Sequence, residues 1–156
     1  MAVNNDNAST RWKPNVTVAG CIERDGRFLL VREHTPQGLR YNQPAGHLEP
    51  GETLLDAVCR EVREETAWRV EPQALLGIYL THGAATQYLR FCFVCRPLEP
   101  LGTPLDEGIV AADWFDYDAI VALRAQHRTP ALLAAIDDYR RGQRHPLELL
   151  HDLNVA

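Results

Sequence analysis

Arg60, Glu61, Glu64 and Glu65 crowd one short stretch of this chain. The residues around them predict a helix from Thr53 to about Thr66. Thr53-x-x-Asp56 is a capping-box pattern at its start, and Leu54, Leu55, Val58 and Val62 form one apolar stripe. On a helix, positions three and four apart are neighbours, so Glu61 meets both Glu64 and Glu65, and Arg60 lies over Glu64. Like charges at that spacing oppose folding, and Glu65 borders the apolar stripe, where desolvation sharpens the repulsion. One reading is a solvated charged face, since glutamate is a good helix former. The other is a site for a hard divalent cation. Magnesium takes oxygen ligands, keeps several waters and completes its shell with substrate phosphates.

The preceding loop decides between them. Gly46, five residues, Glu52, seven residues, then Arg60-Glu61-Val62-x-Glu64-Glu65 is a long pattern at fixed spacing. It resembles the box of the Nudix hydrolase family. Two positions depart: Ala67 stands where the family has its last glycine, and Trp68 replaces the final aliphatic residue. Alanine resists positive φ, so the expectation is that no left-handed residue closes the helix and that it runs one residue further. Three further segments, Lys13 to Ala19, Tyr41 to Glu49 and Gly142 to Glu148, are similar to the NudJ branch of that family, and the likeness extends from about Arg11 to Leu150.

The resemblance implies a chemistry. Glu61, Glu64 and Glu65 would bind Mg2+, for which Mn2+ can substitute, with the backbone carbonyl near Gly46 as a further ligand. Glu52 would assist directly or through water, and Arg60 would orient a carboxylate by charge-assisted hydrogen bonds. The catalytic set is then Glu61, Arg60 and Glu64. The general base is left open between Glu61 and a distal acid, Asp106 or Glu107, in the loop before Trp114. For the substrate, Tyr41 beside the box is either a ring contact or an ordinary surface tyrosine. Asn42 and the strand-end residues Arg32 and Arg90 are candidate contacts. Arg144 clusters with Arg140, Arg141 and His145 near the end of the last helix. That group either reaches substrate phosphate or interacts with the helix C-terminus. His47 and His82 fit no metal pattern and are expected in loops.

These groups need a scaffold. Asn15 to Ile22 and Phe28 to Arg32 read as a hairpin about Asp25-Gly26. Thr35 to Leu39 is a loop, Tyr41 to Gln43 is short and extended, and Pro44 to Gly51 is irregular. Strands are expected at Ala74 to Thr81, Gln87 to Arg96 and Ile109 to Phe115, with a loop from Pro97 to Gly108. Helices are expected at Asp116 to Leu123 and Pro130 to Arg141. The fold class is α+β, with a sheet covered by helices on both faces. By resemblance this is a Nudix-type α/β/α sandwich, with a central mixed sheet and a smaller antiparallel one. A flexible segment, 1–10, precedes a single domain, 11–156.

Composition narrows the function. At 156 residues and a net charge of −5, the chain suits one core and lacks the basic surface of a nucleic-acid binder. It does not exclude a phosphorylated small molecule, because a bound cation reverses the local sign. No apolar run spans a bilayer and no signal-peptide core opens the chain, so a cytoplasmic location is expected. Cys92 and Cys95 lie three apart on a strand, on opposite faces, and suit core packing rather than zinc.

The expected activity is hydrolysis of phosphoanhydrides in nucleoside tri- and diphosphates, or in a pyrimidine diphosphate precursor of thiamine, releasing orthophosphate. The alternatives are cleavage of a nucleoside diphosphate linked to another group, such as ADP-ribose, and a non-catalytic ligand-binding domain. The intact glutamate set and the absence of a second domain speak against the last. The expected partner is a small phosphorylated substrate, with no nucleic acid and no membrane, on a monomer or homodimer.

Overall fold

Val18 and Ile22 on one side of the first strand, and Ala19 and Cys21 on the other, are all buried, so this strand carries core on both faces. It is β1 (Asn15–Arg24), and the computed structural model, which describes residues 11–154, builds two connected sheets around it. The expected flexible segment 1–10 lies outside the described residues. A mixed sheet runs β4 (Ala45–His47), β1, β6 (Gln87–Pro100), β5 (Trp68–His82). In it β1 is parallel to β6 and the other pairs are antiparallel. The smaller sheet is antiparallel: β2 (Arg27–Thr35) pairs with β7 (Ile109–Asp116) on one edge and β3 (Gly38–Asn42) on the other. The β1–β2 hairpin turns through Asp25 and Gly26, both at positive φ, as the Asp-Gly pair predicts.

Helix α1 (Leu54–Thr66) buries Ala57, Val58 and Val62 against the face carrying Val18, Ile22, Leu75 and Phe93. A Cβ on Gly20 would lie 2.9 Å from a Val62 methyl, so the glycine sets how closely α1 approaches β1. The opposite face is covered by α2 (Tyr117–Ala122) and α3 (Ala131–Arg140), through Ile120, Leu132, Ala135 and Ile136. The expected two-sided sandwich is thus present. Cys92 and Cys95 fall in opposite core clusters, and the four cysteines are free. Among the described residues no helix is long and apolar enough to cross a membrane.

Four local expectations are corrected. Ala67 closes α1 in the left-handed region, at φ 56, and its N–H bonds the Arg63 carbonyl at 2.9 Å. The helix therefore stops where a glycine would stop it, at the expense of alanine strain. The stretch Pro44 to Gly51 is not wholly irregular, because β4 pairs with β1 through Thr17–His47, Val18–Gly46 and Ala19–Ala45. That places His47 in a strand, and His82 ends β5 rather than lying in a loop. The long hairpin β5–β6 also runs further than its apolar core, to Trp68 and Pro100. Arg69–Glu99 and Glu71–Arg96 pair across its solvent face, and Pro72 is tolerated because β5 is an edge strand.

Candidate active site

The candidate site begins where the Pro/Gly loop feeds α1. Gly51 turns the chain at φ 81, and the Thr53 hydroxyl caps the helix by accepting the Asp56 N–H at 3.1 Å while donating to its carboxylate at 2.8 Å. That fixes the helix register, so the polar face of α1 looks toward β4 and the loop before β7. Glu65 Oε2 accepts the Ala45 N–H at 2.9 Å, tying the helix to β4. The Asp106 N–H bonds the Glu64 carbonyl at 2.9 Å, which brings the 101–108 loop against the same end of the helix.

Arg60 organises the acids. Its Nε donates to Glu52 Oε1 at 2.5 Å and its Nη2 to Glu52 Oε2 at 3.0 Å, a two-pronged grip. Nη1 donates to Glu61 at 2.7 Å and Glu64 at 3.1 Å, and Nη2 also reaches the His47 carbonyl at 3.0 Å. The guanidinium holds the Glu52 carboxyl below the usual carboxylate range, chiefly by that hydrogen bond. Glu61 is only 8 % exposed, and burial raises its pKa despite Arg60. Burial pushes Glu65 up to about 8, with the charges of Glu61, Glu33 and Asp106 adding to the rise and the Ala45 N–H opposing it. Among the described residues Glu65 makes no ion pair.

With Arg60 bonded to three of the acids, no three His, Cys, Asp or Glu side chains among the described residues converge as they stand on one point. The donor set nevertheless fits a hard cation. Two carboxylates, the buried Glu61 and the half-buried Glu65, line one cavity, and desolvation penalises the charge of both. A Cβ at Gly46 would collide with the Glu61 carboxyl group, so only glycine lets the β4 backbone approach these oxygens.

The cavity has a volume of about 550 Å3. Its walls come from α1 and β4 on one side, and on the other from the β5–β6 hairpin end and the segment entering α3. Of the residues singled out in the sequence, Glu61, Glu65, Gly46, Asn42 and Arg90 line it, and so do His47 and His82. Arg60, Glu52 and Glu64 stand behind Glu61 in the hydrogen-bond network. Asp106 acts electrostatically on Glu61 and Glu65 from the exposed loop, whereas Glu107, though in the same loop, figures in neither acid's shift. Tyr41 packs edge-on against Phe115, ring centres 5.6 Å apart, and does not line the cavity. Arg32 and Arg144 do not line it either; the Arg144 guanidinium lies over the Tyr139 ring at 4.1 Å. Its neighbours are similarly occupied: Arg140 stacks on Tyr117, Arg141 pairs with Asp138, and His145 bonds Leu75 on the outer edge of β5.

Sequence reasoning missed Thr17, Tyr88 and Arg128 in the cavity wall, and Glu33 behind it. Strand alternation from Arg90 marks Tyr88, two residues away on the same face. Arg128 carries no such signal, because a loop places it.

Comparison with known proteins agrees with this fold. The NUDIX domain family matches residues 11–136. Phosphatase NudJ of Escherichia coli (strain K12) is 38 % identical over 146 residues, covering 92 % of this chain and 94 % of the relative. A NUDIX hydrolase from Nitrosomonas europaea superposes with a TM-score of 0.86 at 48 % identity, over 90 % of this chain and 98 % of that one. An ADP-ribose pyrophosphatase from Streptococcus suis has a TM-score of 0.65 at 23 % identity, over 85 % and 96 % of the two chains, and shares the fold.

Proposed function

This chain belongs to the NUDIX family, as an enzyme of the phosphatase and pyrophosphatase kind, and from that premise we propose that it is a magnesium-dependent phosphatase of nucleoside tri- and diphosphates, or of a pyrimidine diphosphate. The observation that carries this reading is the pairing of Glu61 and Glu65. They are a buried and a half-buried carboxylate that share a cavity and disfavour their own charge, and Glu61 lies behind a glycine that admits no side chain. A divalent cation would be held by Glu61, Glu64 and Glu65 with the carbonyl near Gly46, Glu52 assisting. When bound it supplies an acidified water and neutralises the phosphates.

The chain's own residues do the rest. Arg60 ties Glu52, Glu61 and Glu64 into one hydrogen-bonded network, from which Glu61 and Glu64 turn to converge with Glu65 on a cation. Glu61, facing the cavity with a raised pKa, is placed to take a proton from an attacking water. Asp106 biases that acidity from the neighbouring loop. Release of orthophosphate, with attack at the terminal phosphorus, is supported by the 38 % identity to Phosphatase NudJ across nearly the whole chain.

The test is metal removal. Chelated and dialysed protein should lose activity on a nucleoside triphosphate and regain it with Mg2+ or Mn2+. Mg2+ should also raise Tm in the wild type but not in the Glu61→Gln, Glu65→Gln double variant. Full turnover in verified metal-free protein overturns the reading.

A further inference from the structure

The carboxylate wall accounts for one side of the cavity; the opposite side is chemically different. Arg90, on β6, lines it next to Thr17 and Asn42. Thr17 pairs with Arg90 in the β1–β6 register, which sets their side chains on one face of the sheet. The Thr17 hydroxyl is buried in this wall, the residue only 5 % exposed, and has no hydrogen-bond partner. Arg90 makes a single long contact, from Nη1 to Asn42 Oδ1 at 3.4 Å, and no ion pair among the described residues. Arg128 stands in the same wall, close enough for the two guanidiniums to repel. A fold gains nothing in stability by bringing two arginines together beside a buried, unsatisfied hydroxyl. An anion with several acceptor oxygens satisfies all three.

Arg128 is placed with care. Its Nη1 donates to the buried Glu33 carboxylate of β2, and its backbone N–H donates to the Tyr41 carbonyl of β3 at 2.9 Å. His127 beside it bridges to Tyr41. The segment 127–130 is thus pinned to the small sheet, and α3 starts immediately after it, with Thr129 and Pro130 also in the wall. The first-turn N–H groups of a helix favour negative charge near that end.

We infer that Thr17, Arg90 and Arg128 form an anion cradle that grips a phosphoryl group of the substrate opposite the carboxylate wall, with Glu33 as the positioning residue that aims Arg128. The inference rests on the reading under Proposed function. A phosphoryl group would accept from both guanidiniums and the hydroxyl through its charged non-bridging oxygens. The cradle thereby adds to the family's box a grip on the phosphate chain from the far side. That grip decides which phosphorus lies in line with the activated water.

The test measures kcat and KM for a nucleoside triphosphate with Mg2+, and the inhibition constant of inorganic phosphate, in the wild type and in Arg90→Gln, Arg128→Gln, Arg128→Lys, Thr17→Val and Glu33→Gln. Arg69→Gln, on the solvent face of β5, is the control. Loss of one charge-assisted contact should raise KM and the phosphate constant together by about tenfold or more in Arg90→Gln and Arg128→Gln. Arg128→Lys, which keeps the charge beside Glu33, should recover part of this, and Glu33→Gln should raise KM with the fold intact by circular dichroism. If Arg128→Gln fails to fold, Arg90→Gln and Arg128→Lys decide. An active wild type with unchanged KM and phosphate inhibition in the arginine variants overturns the cradle and leaves the proposed activity standing. If the wild type cleaves no anhydride, the proposed activity has failed, and calorimetric binding of inorganic tripolyphosphate then judges the cradle alone. Weaker binding in the arginine variants supports the cradle, and equal binding overturns it.

Discussion

At the scale of single residues, the account turns on carboxylates whose environments differ although they share one helix. Glu52 is held ionised by Arg60, while Glu61 and Glu65 are pushed toward the neutral form by burial. Glu61→Gln, Glu64→Gln and Glu65→Gln should each lower kcat by more than about a hundredfold, since even outer-shell partners of a metal are worth 10- to 100-fold. Far-UV circular dichroism and Tm in the absence of metal should stay near the wild type, because each swap keeps nearly the same shape and those at Glu61 and Glu65 remove a poorly solvated charge. Near-normal turnover in the three variants would place the metal on another face. These glutamates, Arg60 and Gly46 were legible in the sequence because their spacing is local: one helix and the loop before it. Adjacency to the box leaves Tyr41 open between a ring contact and an ordinary surface tyrosine, because only the strand shows that its ring packs on Phe115.

At the scale of elements, the helix ends and loop anchors carry the testable consequences. Ala67 sits at φ 56, where a Cβ is strained and glycine is not. Ala67→Gly should therefore raise stability, by about 1 kcal/mol in denaturant unfolding, with turnover unchanged. A loss of stability would mean that the alanine methyl contributes packing that outweighs the strain. His127, beside Arg128, has its pKa lowered, first by burial and further by Arg124, although its ring N–H to the Ile120 carbonyl opposes the shift. The folded form then takes up a proton less readily than the unfolded chain. Its contribution to stability is complete above the ordinary histidine value of about 6.5 and is lost as pH falls through the folded value. His127→Gln should flatten the fall in Tm between about pH 7 and 5; a slope identical to the wild type would contradict the assignment. Most elements were readable from periodicity and turn residues. β4 was hidden because three residues among prolines and glycines leave no pattern, and the outer half of the β5–β6 hairpin was hidden by its charged cross-strand pairs.

At the scale of the whole molecule, the sheet junction brings together groups far apart in sequence. Thr17, Gly46, Glu61, Arg90 and Arg128 line one cavity although the chain between the first and the last is more than two thirds of the protein. No local pattern announces this. The box predicts the carboxylate side, whereas the arginine side exists only once β6 is paired with β1 and segment 127–130 is docked on β3. On the proposed reading the two sides would divide the work: one would place a cation and a water, the other would fix the phosphate chain, and their separation would select the phosphorus attacked. The central claim, attack at the terminal phosphorus, is tested most directly by incubating the purified protein with a nucleoside triphosphate and Mg2+, without auxiliary phosphatase, and following the phosphorus species by NMR. Nucleoside diphosphate should appear first and monophosphate after it, with orthophosphate rising throughout. Pyrophosphate and monophosphate appearing together from the start would contradict the claim.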